Sequence, residues 1–255
     1  MDITSELTIV IPVRVDSKER EENLTSILSY LISYTSATIL IMEVDEEQKF
    51  FLKNTDKRIK YYFKKDTDVI FHHTRYRNEL LIRSETNIIA IWDADVFLTV
   101  SQLTDGIEWV KKGVTMCIPY DGRAFYLSPD DSINARKDIH SYMNDCKEES
   151  LISLLGRVIV GGVFIVDKQR YLQAGGENEN FYGWGPEDAE RVKRMEILEE
   201  PMERGSGPLF HLYHPRGINS TFGHDERDRN NLKELIKVCK MNTEELRKYI
   251  QTWKS

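Results

Sequence analysis

The feature that most constrains what this chain can fold into is the alternation of short apolar runs with longer helical patterns through its first two thirds. Leu7–Val13, residues 38–44, residues 60–63, Ile88–Trp92, residues 114–118 and residues 158–166 have the length and apolarity of buried strands. Between them, residues 17–34, 72–84 and 101–112 carry helical patterns. The first places Leu24, Ile27, Leu28 and Leu31 on one face, with Asp16 or Ser17 positioned to cap it. Strands separated by helices connect by crossovers rather than hairpins, so the expected fold class is α/β: one domain with a mostly parallel sheet flanked by helices. Beyond residue 166 the rhythm stops. Residues 175–185 are rich in Gly, Asn and Glu, and a long turn-forming stretch inside a compact domain is usually functional or disordered. A helix is expected after it, with Ala189, Val192, Met195 and Leu198 as its buried stripe. From Asp225 onward, Leu232, Leu235, Ile236, Cys239, Leu246 and Ile250 recur at helical spacing among charged residues. The expected organisation is a catalytic domain over residues 1–222 and a C-terminal helical tail over 223–255 that packs on it.

Charge narrows the partners. The 35 basic and 42 acidic residues give a net charge of −7, and no Lys/Arg block resembles a nucleic-acid footprint, so nucleic acid is not an expected partner. Cys117, Cys146 and Cys239 are odd in number and widely spaced, which fits neither a disulfide framework nor a zinc site. The N-terminus runs directly into a strand without a signal-peptide pattern, and no apolar stretch approaches the roughly 20 residues of a membrane span. A cytoplasmic protein is expected, with membrane contact at most peripheral, at the inner face.

Four segments carry candidate chemistry. Asp93 and Asp95 follow the apolar run Ile88–Trp92, which places two carboxylates at the C-terminal end of a central strand, where ligands sit in open α/β sheets. If the segment is extended, residues i and i+2 point the same way and both can reach one divalent ion. Gly161 and Gly162 permit close backbone approach to a ligand, and Trp184 offers a flat face for a sugar ring. Glu187 and Asp188 open the helix that follows. They would complement its dipole in any protein, but the tight Gly-Trp-Gly turn before them favours a catalytic carboxylate. His211 and His214 lie three residues apart in a Gly/Pro-flanked segment, and neutral imidazoles with carboxylates suit a transition metal such as Mn²⁺. His72 and His73 read as structural. Pro12, Val13 and Arg14 end the first strand, with Asp16, Lys18 and Arg20 opening the next helix. That strand-to-helix turn can hold a nucleotide, but it lacks the glycines of a dinucleotide fingerprint.

Taken in order, "IVIPVR", "TRYRNELL", "NIIAIWDADVFL", "GGVFIVDKQRYLQAGGENENFYGWGPEDAE" and "HLYHPRGINS" resemble the GT-A glycosyltransferases, most closely the β-1,4-galactosyltransferase and chondroitin-polymerase-like branch. The resemblance spans about residues 7 to 222. It implies a GT-A domain in which Pro12, Val13 and Arg14 line a uridine pocket, with Arg77 and Asn78 near the base or ribose and Asp93 on the ribose side. It further implies that Asp95, with His214 and His211, binds a Mn²⁺ or Mg²⁺ ion on the diphosphate, and that Gly161 and Gly162 lie against the donor sugar. By the same resemblance Trp184 stacks between donor and acceptor, Glu187 bonds acceptor hydroxyls and Asp188 is the general base. The chain departs from the galactosyltransferases at His211, where they carry methionine, and at Pro186, which replaces a glycine.

The activity so implied is transfer of a hexose or N-acetylhexosamine from a UDP-sugar to a glycan acceptor, with inversion, as in assembly of a bacterial surface polysaccharide. A sugar hydroxyl needs a carboxylate to accept its proton, and a single acceptor-side base implies direct displacement. Three other classes share some of these features. A nucleotidyltransferase should carry a Gly-rich basic loop at the first strand, a non-catalytic carbohydrate-binding protein need not retain the acidic and histidine residues, and a metal hydrolase would cluster more ligands.

Overall fold

The computed structural model describes residues 2–53, 56–146, 151–153, 158–221 and 225–254. In chain order it runs β1 (Leu7–Val13), α1 (Lys18–Tyr34), β2 (Thr38–Asp45), β3 (Ile59–Lys65), α2 (His73–Arg83), β4 (Ile88–Trp92), β5 (Val96–Phe97), α3 (Val100–Lys111), β6 (Met116–Ile118), β7 (Ala124–Tyr126), α4 (Pro129–Lys137) and α5 (Ile139–Asp145). It continues with β8 (Ile152–Ser153), β9 (Val163–Asp167), α6 (Lys168–Gln173), α7 (Glu187–Leu198), β10 (Met202–Arg204), β11 (Leu209–His211), α8 (Glu226–Cys239) and α9 (Thr243–Gln251). Seven strands form the central sheet in the order β10-β6-β9-β4-β1-β2-β3, and four form a smaller one, β5-β11-β7-β8. In the central sheet β1, β2, β3 and β4 pair in parallel, as do β6 and β10. This is the α/β architecture expected from the sequence, and it is consistent with a GT-A-like single domain.

The apolar runs become strands because both of their faces are covered. Every residue of β1 and β4 is buried, as continuous hydrophobic strands in helix-covered parallel sheets are. Leu24, Ile27, Leu28 and Leu31 of α1 are buried as their spacing requires, and Ser17 caps that helix by accepting a bond from the Arg20 amide. Two local expectations are corrected. The strand expected from residue 158 begins only at Val163, and β9 runs antiparallel to both β4 and β6. Gly162 sets that boundary: its φ of +88° breaks extended backbone, and a Cβ there would meet Leu209 Cδ2 at 2.8 Å.

The second correction concerns α7. Met195 and Leu198 are buried, but Ala189 is exposed and Val192 only half-buried, while Glu187, Glu190, Arg191 and Arg194 are buried instead. The charged face is turned inward because it is internally paired. Arg194 bonds Glu190 at 2.9 Å and the carbonyls of Ala174 and Gly176 at 2.5 and 2.7 Å, and Arg191 makes a second set of bonds described below. The C-terminal helices pack on the domain, burying Val238, Leu246 and Ile250. Asn231 of α8 exchanges both backbone hydrogen bonds with Tyr182, accepting at 3.1 Å and donating at 3.0 Å, so α8 fixes the turn that carries Trp184. The boundary expected at residues 222 and 223 lies outside the described residues. Among the described residues, no helix is long and apolar enough to cross a membrane.

Candidate active site

The C-terminal ends of β1 and β4 border an open cavity of about 640 Å³ that is also lined by the Gly161-Gly162 turn, the start of α7 and the chain after β11. Pro12, Val13, Arg14, Asp93, Asp95, Gly161, Gly162, Trp184, Asp188, His211 and His214 all line it. Arg77, Asn78 and Glu187 do not, and each has a different place. Arg77 is buried and ion-paired with Asp93 at 3.0 Å and with Glu177 at 3.3 Å. Asn78 is tied to the backbone of Glu177 through both its amide atoms. Glu187 is 6% exposed, and its Oε2 has no hydrogen-bond partner. Burial and internal pairing thus turn Arg77, Asn78 and Glu187 away from the cavity surface in this structure.

The extended segment that would aim Asp93 and Asp95 at one ion is also absent. The chain turns at residues 93–95, Val96 N bonding Asp93 O at 3.4 Å, and the two carboxylates acquire different neighbours. Asp95 faces His211 and His214, which β5–β11 pairing and the Leu212 N to Asp95 O bond of 2.8 Å bring alongside it. Asp95 Oδ1 lies 3.6 Å from His211 Nε2, and Oδ2 lies 3.3 Å from His214 Nε2. Each histidine's Nδ1 contacts a carbonyl, Leu212 O at 2.7 Å or Pro215 O at 2.9 Å. A carbonyl only accepts, so Nδ1 carries the proton and the Nε2 lone pair faces Asp95.

Burial, against the pull of Asp95, pushes His211 down to about 4, and it lowers His214 as well, so both rings are neutral at physiological pH. Burial would raise Asp95, but His211, Arg20 and His214 outweigh it and hold the carboxyl at about 2. Two lone pairs and an anionic carboxylate therefore converge on one spot. These three side chains form the group of described residues able to hold a metal ion, with their ligand atoms within 4.8 Å of one another. The donor set fits a divalent transition metal.

The other end of the cavity is organised by arginines. Buried Glu177 accepts two 2.8 Å bonds from Arg191, which also bonds Asp188 Oδ1 at 2.8 Å and lies 3.9 Å over the Phe164 ring. Burial would raise Glu177, but Arg191 and Arg77 outweigh it and hold it at about 2. Asp188 Oδ2 occupies the space where a Cβ on Gly161 would sit, 2.0 Å away, so only glycine admits this carboxylate. Burial, with like charge from Asp95 and Asp188 and opposed by Arg77, pushes Asp93 up to about 6, although its side chain is 31% exposed toward the cavity. Burial and then Asp188 push Glu187 up to about 8, so Glu187 is protonated at neutral pH and leaves Asp188 without a charged neighbour in sequence.

Phe71 and Tyr126, which also line the cavity, were not singled out in the sequence. Phe71 and His73 form an edge-to-face pair with ring centroids 4.4 Å apart at the start of α2, and both line the cavity. Arg14 donates to Val44 O, Asp68 O and Val69 O and lies over Phe71, so it shapes the pocket wall. Tyr126 stacks on His211, and Arg216 in turn packs on Tyr126.

Residues 148–215 match the family model described as the N-terminal domain of galactosyltransferase. The match supports a galactosyltransferase-like glycosyltransferase. It covers Gly161, Gly162, Trp184, Asp188, His211 and His214, while Asp93 and Asp95 reach the same cavity from outside it. A search of curated proteins found no match. A glycosyltransferase implies a sugar donor and a glycan acceptor, and the cavity has room for a bound ligand.

Proposed function

We propose that this chain is an inverting, divalent-metal-dependent glycosyltransferase that moves a hexose or N-acetylhexosamine from a UDP-sugar to a hydroxyl of a glycan. The observation that carries this reading is that one cavity holds both a cation-ready group, Asp95 with His211 and His214, and a carboxylate, Asp188, fixed by an arginine at 2.8 Å. Asp95, His211 and His214 would hold Mn²⁺ or Mg²⁺, which when bound supplies Lewis-acid stabilisation of the charge gathering on the departing diphosphate.

The chain's own residues do the rest. Pro12, Val13, Arg14 and Phe71 form the wall on which the nucleoside lies, and Asp93 faces the cavity on the ribose side. Gly161 and Gly162 let the donor sugar approach the backbone, and the half-exposed Trp184 offers its face at the boundary with the acceptor. Asp188 accepts the acceptor hydroxyl's proton as that oxygen bonds to the anomeric carbon, and the bond to the diphosphate breaks on the opposite face, inverting the centre. Arg191 holds the carboxylate in place, and protonated Glu187 adds no competing charge.

The test is calorimetric titration with a panel of UDP-sugars in Mn²⁺, in Mg²⁺ and in EDTA. Micromolar binding that needs the metal supports the reading and names the donor. Failure of every nucleotide sugar in every metal would replace it with a non-catalytic carbohydrate-binding role.

A further inference from the structure

Among the described residues three arginines line the cavity, and they are not equivalent. Arg14 is committed to three backbone carbonyls. Arg216 is held by Ser220 O at 3.1 Å and by the Tyr126 hydroxyl. Arg20 bonds no carbonyl. It reaches from the first turn of α1, where the Ser17 cap fixes its amide, to two carboxylates: Asp16 at 2.9 Å through Nε and Asp95 Oδ2 at 2.7 Å through Nη1. Its side chain is 14% exposed and belongs to the cavity wall.

Arg20 therefore contacts the same Asp95 oxygen that faces His214 Nε2. Its Nη2 lies 3.2 Å from His214 Nδ1 and 3.3 Å from Nε2. The Nδ1 proton is already given to Pro215 O, so Nε2 is the ring nitrogen that accepts from this guanidinium. The guanidinium is thus held at this spot by the charge of Asp95 and by the Nε2 lone pair of His214, the two groups a metal ion would ligate. A divalent ion ligated by Asp95 and His214 would use the same carboxylate oxygen and would repel the guanidinium, so the two cations cannot both keep this contact. Asp16, four residues earlier, holds Arg20 at the cavity wall whichever partner it has. A nucleotide diphosphate carries more negative charge than one divalent ion neutralises, and a guanidinium matches its oxygens in two-point geometry.

Resting on the donor reading above, we propose that Arg20 is a tethered counter-ion that changes partner: it neutralises Asp95 until a divalent ion is taken up, and then pairs with the diphosphate of the bound nucleotide. Arg20 is a positioning and binding residue in this scheme, and it opposes metal uptake until the nucleotide arrives. Metal and nucleotide binding are coupled as a result, since the group released by the first is the one that receives the second.

Arg20→Gln separates the two roles with opposite signs. Mn²⁺ binding without nucleotide, followed by electron paramagnetic resonance of the free ion, should be about ten-fold tighter in the variant than in the unaltered chain, the scale of losing one charge-assisted contact. UDP binding at saturating Mn²⁺, followed by calorimetry, should be about ten-fold weaker. Arg20→Lys keeps the charge without the fork, so its Mn²⁺ affinity should stay near that of the unaltered chain while UDP affinity falls part-way, and circular dichroism confirms that both variants fold. Mn²⁺ affinity in Arg20→Gln equal to or weaker than that of the unaltered chain would overturn the proposal, as would unchanged UDP affinity. Because the Mn²⁺ measurement needs no nucleotide, failure of the unaltered chain to bind UDP with Mn²⁺ bound would reveal instead that the donor reading is wrong, and the transfer to diphosphate with it.

Discussion

The two ends of the cavity solve opposite electrostatic problems. At one end Asp95, His211 and His214 present an anionic carboxylate and two lone pairs to a common point, with Arg20 as the nearby positive group. At the other, Asp93, Asp188 and Glu177 are served by the buried Arg77 and Arg191, with Glu187 pushed up to about 8 beside them. In the proposed reading the first end receives a cation from outside, whereas the second carries its cations in its own sequence. The difference teaches which end can do which chemistry. A carboxylate that shares a metal ion would be a poor proton acceptor, so the proposed reading assigns the base role to Asp188, which lines the cavity at the other end.

The contrast can be broken most forcefully at Arg191. Arg191→Ala leaves Glu177 buried without its bidentate partner and should cost about 3–5 kcal/mol of stability in denaturant unfolding. A loss under about 1 kcal/mol would mean that the internal cation is dispensable. Next in size, Asp188→Asn should keep nucleotide-sugar affinity while turnover falls by about 10²-fold or more in a steady-state assay, and full turnover would remove Asp188 from the base role.

A smaller effect sharpens the same end. The folded chain keeps a proton on Glu187 that the unfolded chain releases near 4.5, so this group's contribution to stability is full below about 4.5 and is lost as pH rises through about 8. Glu187→Gln cannot ionise. Its melting temperature relative to the unaltered chain should therefore climb steadily from about pH 5 to pH 8, and a constant difference would place Glu187 in a polar setting after all.

The cation-ready end was more legible in the sequence than the arginine-braced end, for a physical reason. Asp95 closes an apolar run, and His211 and His214 sit three residues apart, so strand pattern and spacing are local signals. The order of these segments also carried the family resemblance. Arg191 and Arg194 instead look like the solvent face of an amphipathic helix, and only tertiary structure brings Glu177 and Arg77, 100 residues apart, onto the same partner set. Arg20 meets Asp95 across 75 residues, which no local pattern encodes. The direction of β9 was equally hidden, because an apolar run reads the same whichever way it pairs. The turn at residues 93–95 separated two carboxylates that an extended segment would have joined. The helical nature of the tail was visible from spacing, but its hold on Tyr182 through Asn231 was not.

The central claim is that Asp95, His211 and His214 hold a divalent ion on which nucleotide-sugar binding depends, and it is tested most directly by calorimetry of UDP-sugars against the unaltered chain and Asp95→Ala, each with Mn²⁺ and with EDTA. The account predicts binding by the unaltered chain in Mn²⁺ that EDTA abolishes and that Asp95→Ala weakens by at least about 10²-fold, as loss of a charged, buried ligand requires. Equal affinity with and without metal, or in the presence and absence of the Asp95 carboxylate, would contradict it.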